Sequence, residues 1–311
     1  MGFLALILAL LIEQGRPLPH GNLVHRAVVA FADAAKRATD AGDRRYGIFG
    51  WFLVIGLLLG LLIAAQWLLA WLNPVAPFVL YVAVLYLTVG FRQFSHAFSE
   101  IQLALAAGDV PGAREALQVW MRRHDPEYTA SDAPVNEVCR QAISHALIAA
   151  HRHVFGPLFW FILLPGAIGP VLYRVAQLLA KRWAEPGEPY GEFAKTAYWL
   201  LDWLPVRLSA AGFAIVGNFE DAVYCWRGAV AAGTGDDQRS LLLATGGGAL
   251  GLRIADPALE SEWATGEQGF DWQGAEPGSE GLRSAVGLVW RSVVLWISLF
   301  AMLTVANWLG R

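Results

Sequence analysis

Few residues in this chain fall at spacings that do chemistry. His145, His151 and His153 lie close together around Arg152. Imidazoles suit zinc better than magnesium, but ligands must share a face. On a helix at about 100° per residue, His145 and His151 stand about 240° apart. The cluster therefore reads as a basic edge that reinforces topology, with a new metal site as the alternative. Asp202 stands five residues before Arg207 in an otherwise apolar run, with Pro205 between them. A lone acid in such a run is either a proton or cation site or the partner of a nearby cation. Arg207 and Arg174 are the candidates for that pairing. Cys139 and Cys225 form no C-x-x-C and read as idle thiols, and there is no H-E-x-x-H. Gly246-Gly247-Gly248 could cradle phosphate, but no Lys-Ser/Thr follows it and no strand precedes it. It reads as a turn. No metal site is expected.

The elements that position these groups follow from composition. Of 311 residues, 56% are hydrophobic and 16% charged, with 14 Trp and 16 Phe. A soluble domain carries about a quarter charged residues, and a mean hydropathy of +0.43 leaves more apolar bulk than a soluble interior holds. The net charge of -3 argues against nucleic acid, which calls for a basic patch. The reading is an all-α, polytopic helical membrane protein, a single domain with four to five membrane segments, one of them broken.

The segments are expected at 48–71, 75–91, 154–180, 197–216 and 285–309. The first two form a hairpin across Asn73-Pro74, with Lys36, Arg37, Arg44 and Arg45 before it and Arg92, Arg114, Arg122 and Arg123 after it. The positive-inside bias puts both flanks in the cytoplasm. Residues 2–12 are too short to span, since a spanning helix needs roughly 20 residues, and read as an uncleaved helix ending at Gly15 and Pro17. Region 93–153 reads as cytoplasmic helices with Asp109 as an N-cap and Pro111 in the first turn. Segment 154–180 carries Pro165-Gly166 and Gly169-Pro170, so it is either broken or re-entrant, or a kinked span. Segment 197–216 holds its charges at membrane depth or lies along the interface. Region 217–283 reads as polar and loop-rich. Trp290, Trp296, Phe300 and Trp308 face lipid or form a dimer seam.

Several segments together resemble one family. They are Gly108-Asp109-Val110-Pro111-Gly112-Ala113-Arg114, Arg123-His124-Asp125, Pro157-Leu158-Phe159-Trp160, Pro165-Gly166-Ala167, Tyr173-Arg174, Leu204-Pro205-Val206-Arg207-Leu208 and Gly248 to Leu252, with a weaker echo at Pro17 to His20. Their order and spacing are similar to the CobD/CbiB family of adenosylcobinamide-phosphate synthases and its relative AmpE, an inner-membrane protein linked to β-lactamase induction. The resemblance implies an ATP- and Mg²⁺-dependent ligase that joins adenosylcobyric acid to aminopropanol or its phosphate. In the synthases, acidic motifs precede P-L-F-W, follow the P-G-A turn and precede P-A-R-L.

Carried onto this chain, those motif positions fall on Ser144, His145, Ile148, Ala149 and Arg152, then on Gln177, Leu178 and Ala180, then on Tyr198, Trp199 and Asp202. The expected acids are absent from this register. The resemblance therefore implies a non-catalytic, AmpE-like regulator or scaffold in the bacterial inner membrane, with no catalytic residues and no cofactor. Arg114, Arg123 and Asp125 are its interaction candidates toward a protein partner. Asp202, Arg207, Arg174 and Tyr173 are its cavity or ion-pair candidates. One alternative is a cobalamin biosynthesis enzyme using Mg²⁺ and ATP. Another is a corrinoid or small-molecule binder without turnover. A homo-oligomer is open under each reading.

Overall fold

The computed structural model describes residues 2–16, 21–90, 92–123, 125, 127–130, 132–185, 187–231, 237–255 and 274–310. The echo at 17–20 and the acidic tract up to 273 lie outside them. The described residues form thirteen α-helices and no strand ladder. They are α1 (Gly2–Gly15), α2 (Leu23–Thr39), α3 (Arg44–Leu72), α4 (Ala76–Thr88), α5 (Arg92–Ala106), α6 (Val110–Met121) and α7 (Val135–Ala150). Then follow α8 (Gly156–Leu163), α9 (Ile168–Trp183), α10 (Glu192–Val216), α11 (Phe219–Ala231), α12 (Gln238–Leu250) and α13 (Ser279–Leu309). Packing divides the chain into two compact units, residues 1–90 with 156–205, and 91–155 with 206–311.

In the first unit, α1 packs on α4, α8 on α9, and α3 against α2, α9 and the 3₁₀ turn Pro189–Gly191. Trp51, Val54 and Ile55 of α3 meet Ala32 and Ala35 of α2 and Val175, Leu179 and Trp183 of α9. Close approach needs bare backbone: a Cβ on Gly47 would overlap the Tyr190 carbonyl, and one on Gly50 the Tyr190 hydroxyl. That hydroxyl bonds Thr39 Oγ1 at 2.7 Å. Two polar clasps hold α2 to the end of α9. Arg182 grips Asp33 with two 2.8 Å hydrogen bonds, and Lys36 reaches Glu185 at 2.8 Å and Glu188 at 3.1 Å. The Arg182 hydrogen bonds hold the Asp33 carboxyl below its ordinary range. The first clasp is thus intact at neutral pH and loosens only as pH falls through that lowered value.

In the second unit, α5 and α6 form the expected hairpin. Gly108 turns at φ 76°, and Asp109 Oδ1 caps α6 by accepting the Gly112 N–H at 2.9 Å. Helix α7 packs against α5, α6, α12 and α13. Region 217–283, expected to be loop-rich, instead holds α11 and α12 packed together. The three glycines at 246–248 do not turn the chain. They lie buried inside α12, where a Cβ on Gly248 would come 2.5 Å from the Asp221 carbonyl and one on Gly246 2.7 Å from Leu147. Glycine costs a helix about 1 kcal/mol relative to alanine, and here it lets α11 and α7 approach.

Four helical stretches are long and apolar enough to cross a bilayer: Arg44–Leu72, Val135–Leu163, Pro189–Val216 and Ser279–Leu309. The protein is an all-α polytopic membrane protein. Three expected boundaries move. The run 75–91 yields only the 13-residue α4, about 20 Å long at 1.5 Å per residue, because Asn73-Pro74 delays its start and Val89 leaves the helix. The boundary expected at 153 is not one: α7 continues through a π-helical turn, His151–Phe155, into α8, so residues 135–153 belong to an apolar stretch that reaches Leu163. The chain breaks where expected, at Pro165-Gly166, with Gly166 at φ 69°. Gly169-Pro170 makes no second break, because Pro170 sits in the first turn of α9, where its missing N–H is not needed.

Pro205 lies inside α10 without ending it. A proline removes the hydrogen bond to the carbonyl four residues back, here that of Leu201. The Trp160 indole N–H supplies a donor to that carbonyl at 3.2 Å. Two pieces of the sequence pattern, Pro157 to Trp160 and Leu204-Pro205, are thereby explained by one contact. Trp160→Phe keeps the ring and orphans the carbonyl. It should lower stability by about 1–3 kcal/mol, read as a lowered midpoint of thermal unfolding in detergent, and should lose this effect when combined with Pro205→Ala.

Candidate functional site

Tyr173 and Gln177 are four apart on α9, and Tyr198 and Asp202 are four apart on α10. Residues at that spacing share a helix face, so each helix offers a two-rung polar ladder. The ladders face one another within the first unit. Tyr173, fully buried, donates to Asp202 Oδ1 at 2.8 Å, and Asp202 is only 3% exposed. The Tyr173 and Tyr198 hydroxyl oxygens are 3.2 Å apart. Gln177 Nε2 donates to the Tyr198 oxygen at 3.4 Å, and Arg174 donates to Gln177 Oε1 at 2.8 Å.

The direction of every bond in this chain is fixed from its ends. Arginine has donors only, so Gln177 turns its carbonyl to Arg174 and its amide to Tyr198. The Tyr173 proton is committed to Asp202, so the Tyr198 proton goes to the Tyr173 oxygen. All donors point one way, from the guanidinium to the carboxylate, and such chains polarise one another. A buried carboxylate is costly unless it is paired and hydrogen-bonded. Here Tyr173 supplies one donor, and Tyr173, Tyr198 and Gln177 link the carboxylate by hydrogen bonds to Arg174. Gly156 makes room for this: a Cβ there would overlap the Tyr173 ring.

Of the expected site residues, Asp202, Arg174 and Tyr173 come together. Gln177 and Tyr198 complete the set, and the family resemblance marked them only as motif positions, Tyr198 as one where an acid is absent. Their i, i+4 spacing with Tyr173 and Asp202 was the available signal. Arg207 is half-buried on the part of α10 that belongs to the second unit. The histidines do not form an exposed basic edge. His151 is buried and bonds Ser209 Oγ at 2.9 Å, and His145 stands edge-on to Trp120 with ring centres 4.6 Å apart. The rod through 135–163 draws them inside. Arg114 Nε donates to the Ala133 carbonyl at 2.8 Å, Asp125 Oδ1 accepts the Glu127 N–H at 3.1 Å, and Arg123 is exposed.

Magnesium prefers near-octahedral oxygen coordination. The chain from Arg174 to Asp202 offers one carboxylate, already bonded, and an amide oxygen turned to a guanidinium. Among the described residues no three His, Cys, Asp or Glu gather into a metal-holding group. These residues do not fit a divalent cation.

With this geometry in view, the comparisons place the chain. Residues 2–289 match the family model CobD/Cbib protein. A cobalamin biosynthesis protein CobD of Chromobacterium violaceum is 34% identical over 249 residues, covering 79% of this chain and 77% of that protein. Another of that name, from Stutzerimonas stutzeri, is 31% identical over 312 aligned positions, covering 95% of each. No solved structure matches the chain. This polytopic all-α membrane protein belongs to the CobD/CbiB family.

Breaking the polar chain where it meets the buried carboxylate should cost more than breaking it one link further away. Tyr173→Phe leaves Asp202 without this donor and should destabilise the protein by about 1–3 kcal/mol. Tyr198→Phe should cost less. In a double-mutant cycle of Tyr173→Phe with Asp202→Asn, the two effects should be non-additive by about 0.5–3 kcal/mol, measured by thermal or chemical unfolding in detergent.

Proposed function

We propose that this protein is a non-catalytic member of the CobD/CbiB family, a regulator or scaffold of the AmpE kind in the bacterial inner membrane, acting on a protein partner through its cytoplasmic helices. The observation that carries this reading is the hydrogen-bonded chain from Arg174 to Asp202. Gln177, Tyr198 and Asp202 occupy positions that the family resemblance assigns to acidic motifs. In this protein those positions are spent on one another. A ligase that activates a carboxylate with ATP needs cations or metal to meet the developing phosphoryl charge. A lone carboxylate that already accepts the Tyr173 hydroxyl is a poor start for such a site.

A second reading has its own support. The relatives are named for cobalamin biosynthesis, and Pro165-Gly166-Ala167, Tyr173-Arg174 and Gly248 to Leu252 look closer to the synthases than to AmpE. On that reading the protein forms an amide between adenosylcobyric acid and aminopropanol phosphate, with acids elsewhere holding Mg²⁺. Corrinoid binding without turnover lies between the two.

The test is a turnover assay on detergent-purified, folded protein given adenosylcobyric acid, aminopropanol phosphate, Mg²⁺ and ATP, with product followed by mass. No product is expected beside an active synthase as control, and no thermal shift with Mg-ATP. Product would establish the ligase reading instead. Saturable corrinoid binding without product would establish the binder.

A further inference from the structure

The base of α3 carries charge that the protein itself does not use. Asp43 caps α3 by accepting the Arg45 N–H at 3.2 Å, and Asp40 accepts the Gly42 N–H at 3.0 Å. Asp33 is held by Arg182, and Glu185 and Glu188 by Lys36. Every acid described around this end therefore has internal work. Arg37, Arg44 and Arg45 are exposed, and among the described residues none of them makes an ion pair. Arg44 and Arg45 do not serve their helix either, since they stand in the first turn of α3, where the positive end of the dipole disfavours cations, whereas Arg37 stands in the last turn of α2.

What they adjoin is apolar. Arg45, Phe49 and Phe52 follow one another at four and three residues along α3, so they share a face. Phe49 and Phe52 are each 59% exposed, Leu53 is 40% exposed and Tyr46 48%. This apolar strip continues down a helix long enough to cross a bilayer. A guanidinium directly above a strip of exposed rings, with a tyrosine beside it, matches the polar edge of a lipid leaflet. Phosphates lie there above the acyl chains, and aromatic side chains favour that level.

We propose that Arg37, Arg44 and Arg45 form a docking collar for anionic phospholipid headgroups, with Phe49 and Phe52 against the acyl chains below. The occupant is negatively charged because three unpaired guanidiniums face it. It is a lipid because the apolar strip is continuous with the charges, which a free phosphate would leave unused. Juxtamembrane basic residues contribute to such binding roughly additively, about fivefold in affinity per residue. The collar is independent of what the protein binds or makes elsewhere.

The full chain in detergent would be titrated with phosphatidylglycerol or phosphatidylcholine, reading both the thermal midpoint and the lipid retained in native mass spectrometry. Phosphatidylglycerol should raise the midpoint and stay bound; phosphatidylcholine should do neither. The triple variant Arg37→Gln, Arg44→Gln, Arg45→Gln should bind phosphatidylglycerol about a hundredfold more weakly. The matching triple lysine variant should recover most of the binding, which a loss of folding would not allow. Arg227→Gln with Arg239→Gln, exposed on α11 and α12, should bind as the parent does. Equal retention of both lipids, unchanged binding by the glutamine variant, or an equal shift with inorganic phosphate alone would overturn the proposal.

Discussion

A carboxylate on a helix apolar enough to cross a membrane has to be given donors by the protein, and much of the first unit is arranged around that demand. Asp202 receives the Tyr173 hydroxyl, and a run of hydrogen bonds continues from there through Tyr198 and Gln177 to Arg174. This run ties α9 to α10 along two turns instead of at one point. It also binds the identity of each member to the next. A donor-only guanidinium at one end and an acceptor at the other leave no freedom in how the amide and the two hydroxyls between them are oriented.

The same constraint acts on the backbone. Pro205 leaves a carbonyl in α10 without its helical donor, and the Trp160 indole supplies one. Next to it, Gly156 yields the space that the Tyr173 ring fills, and Gly169 comes so close to the Trp160 carbonyl that no Cβ would fit. Bare backbone and satisfied polar groups thus occur together in α8, α9 and α10. The second unit uses bare backbone differently. There Gly246 and Gly248 let α12 come against α7 and α11, and buried polar contacts include those of His151 with Ser209 and of Ser144 with the Ile254 carbonyl.

These arrangements bear on function because hydrogen-bonding capacity is finite. A residue that closes an internal network has little left for a ligand. The chain from Arg174 to Asp202 commits five side chains to one another, whereas Arg44 and Arg45 at the base of α3 are exposed. A family resemblance carried on Pro, Gly and Trp positions marks the shared packing, and it extends through residues 2–289. The chemistry of a member depends on the few polar side chains set into that packing.

Much of this was legible in the sequence, for physical reasons. The excess of apolar residues over charge admits no soluble core, so membrane helices followed. Asp109 and Pro111 at the start of α6, and Pro165-Gly166 at the break before α9, are local devices whose effect needs nothing from elsewhere in the chain. The sequence alone also placed Tyr173, Arg174 and Asp202 among the residues to watch. Tertiary structure decided what local rules could not. It kept Gly246 to Gly248 helical because close packing outweighed their propensity, and it carried the helix on from α7 past His151, whose ring bonds Ser209 inside. It carried α10 through Pro205 because Trp160 replaced a lost donor. It brought Gln177 and Tyr198 into line with Asp202 because two successive helices present matching four-residue spacings, and that match exists only once they are packed.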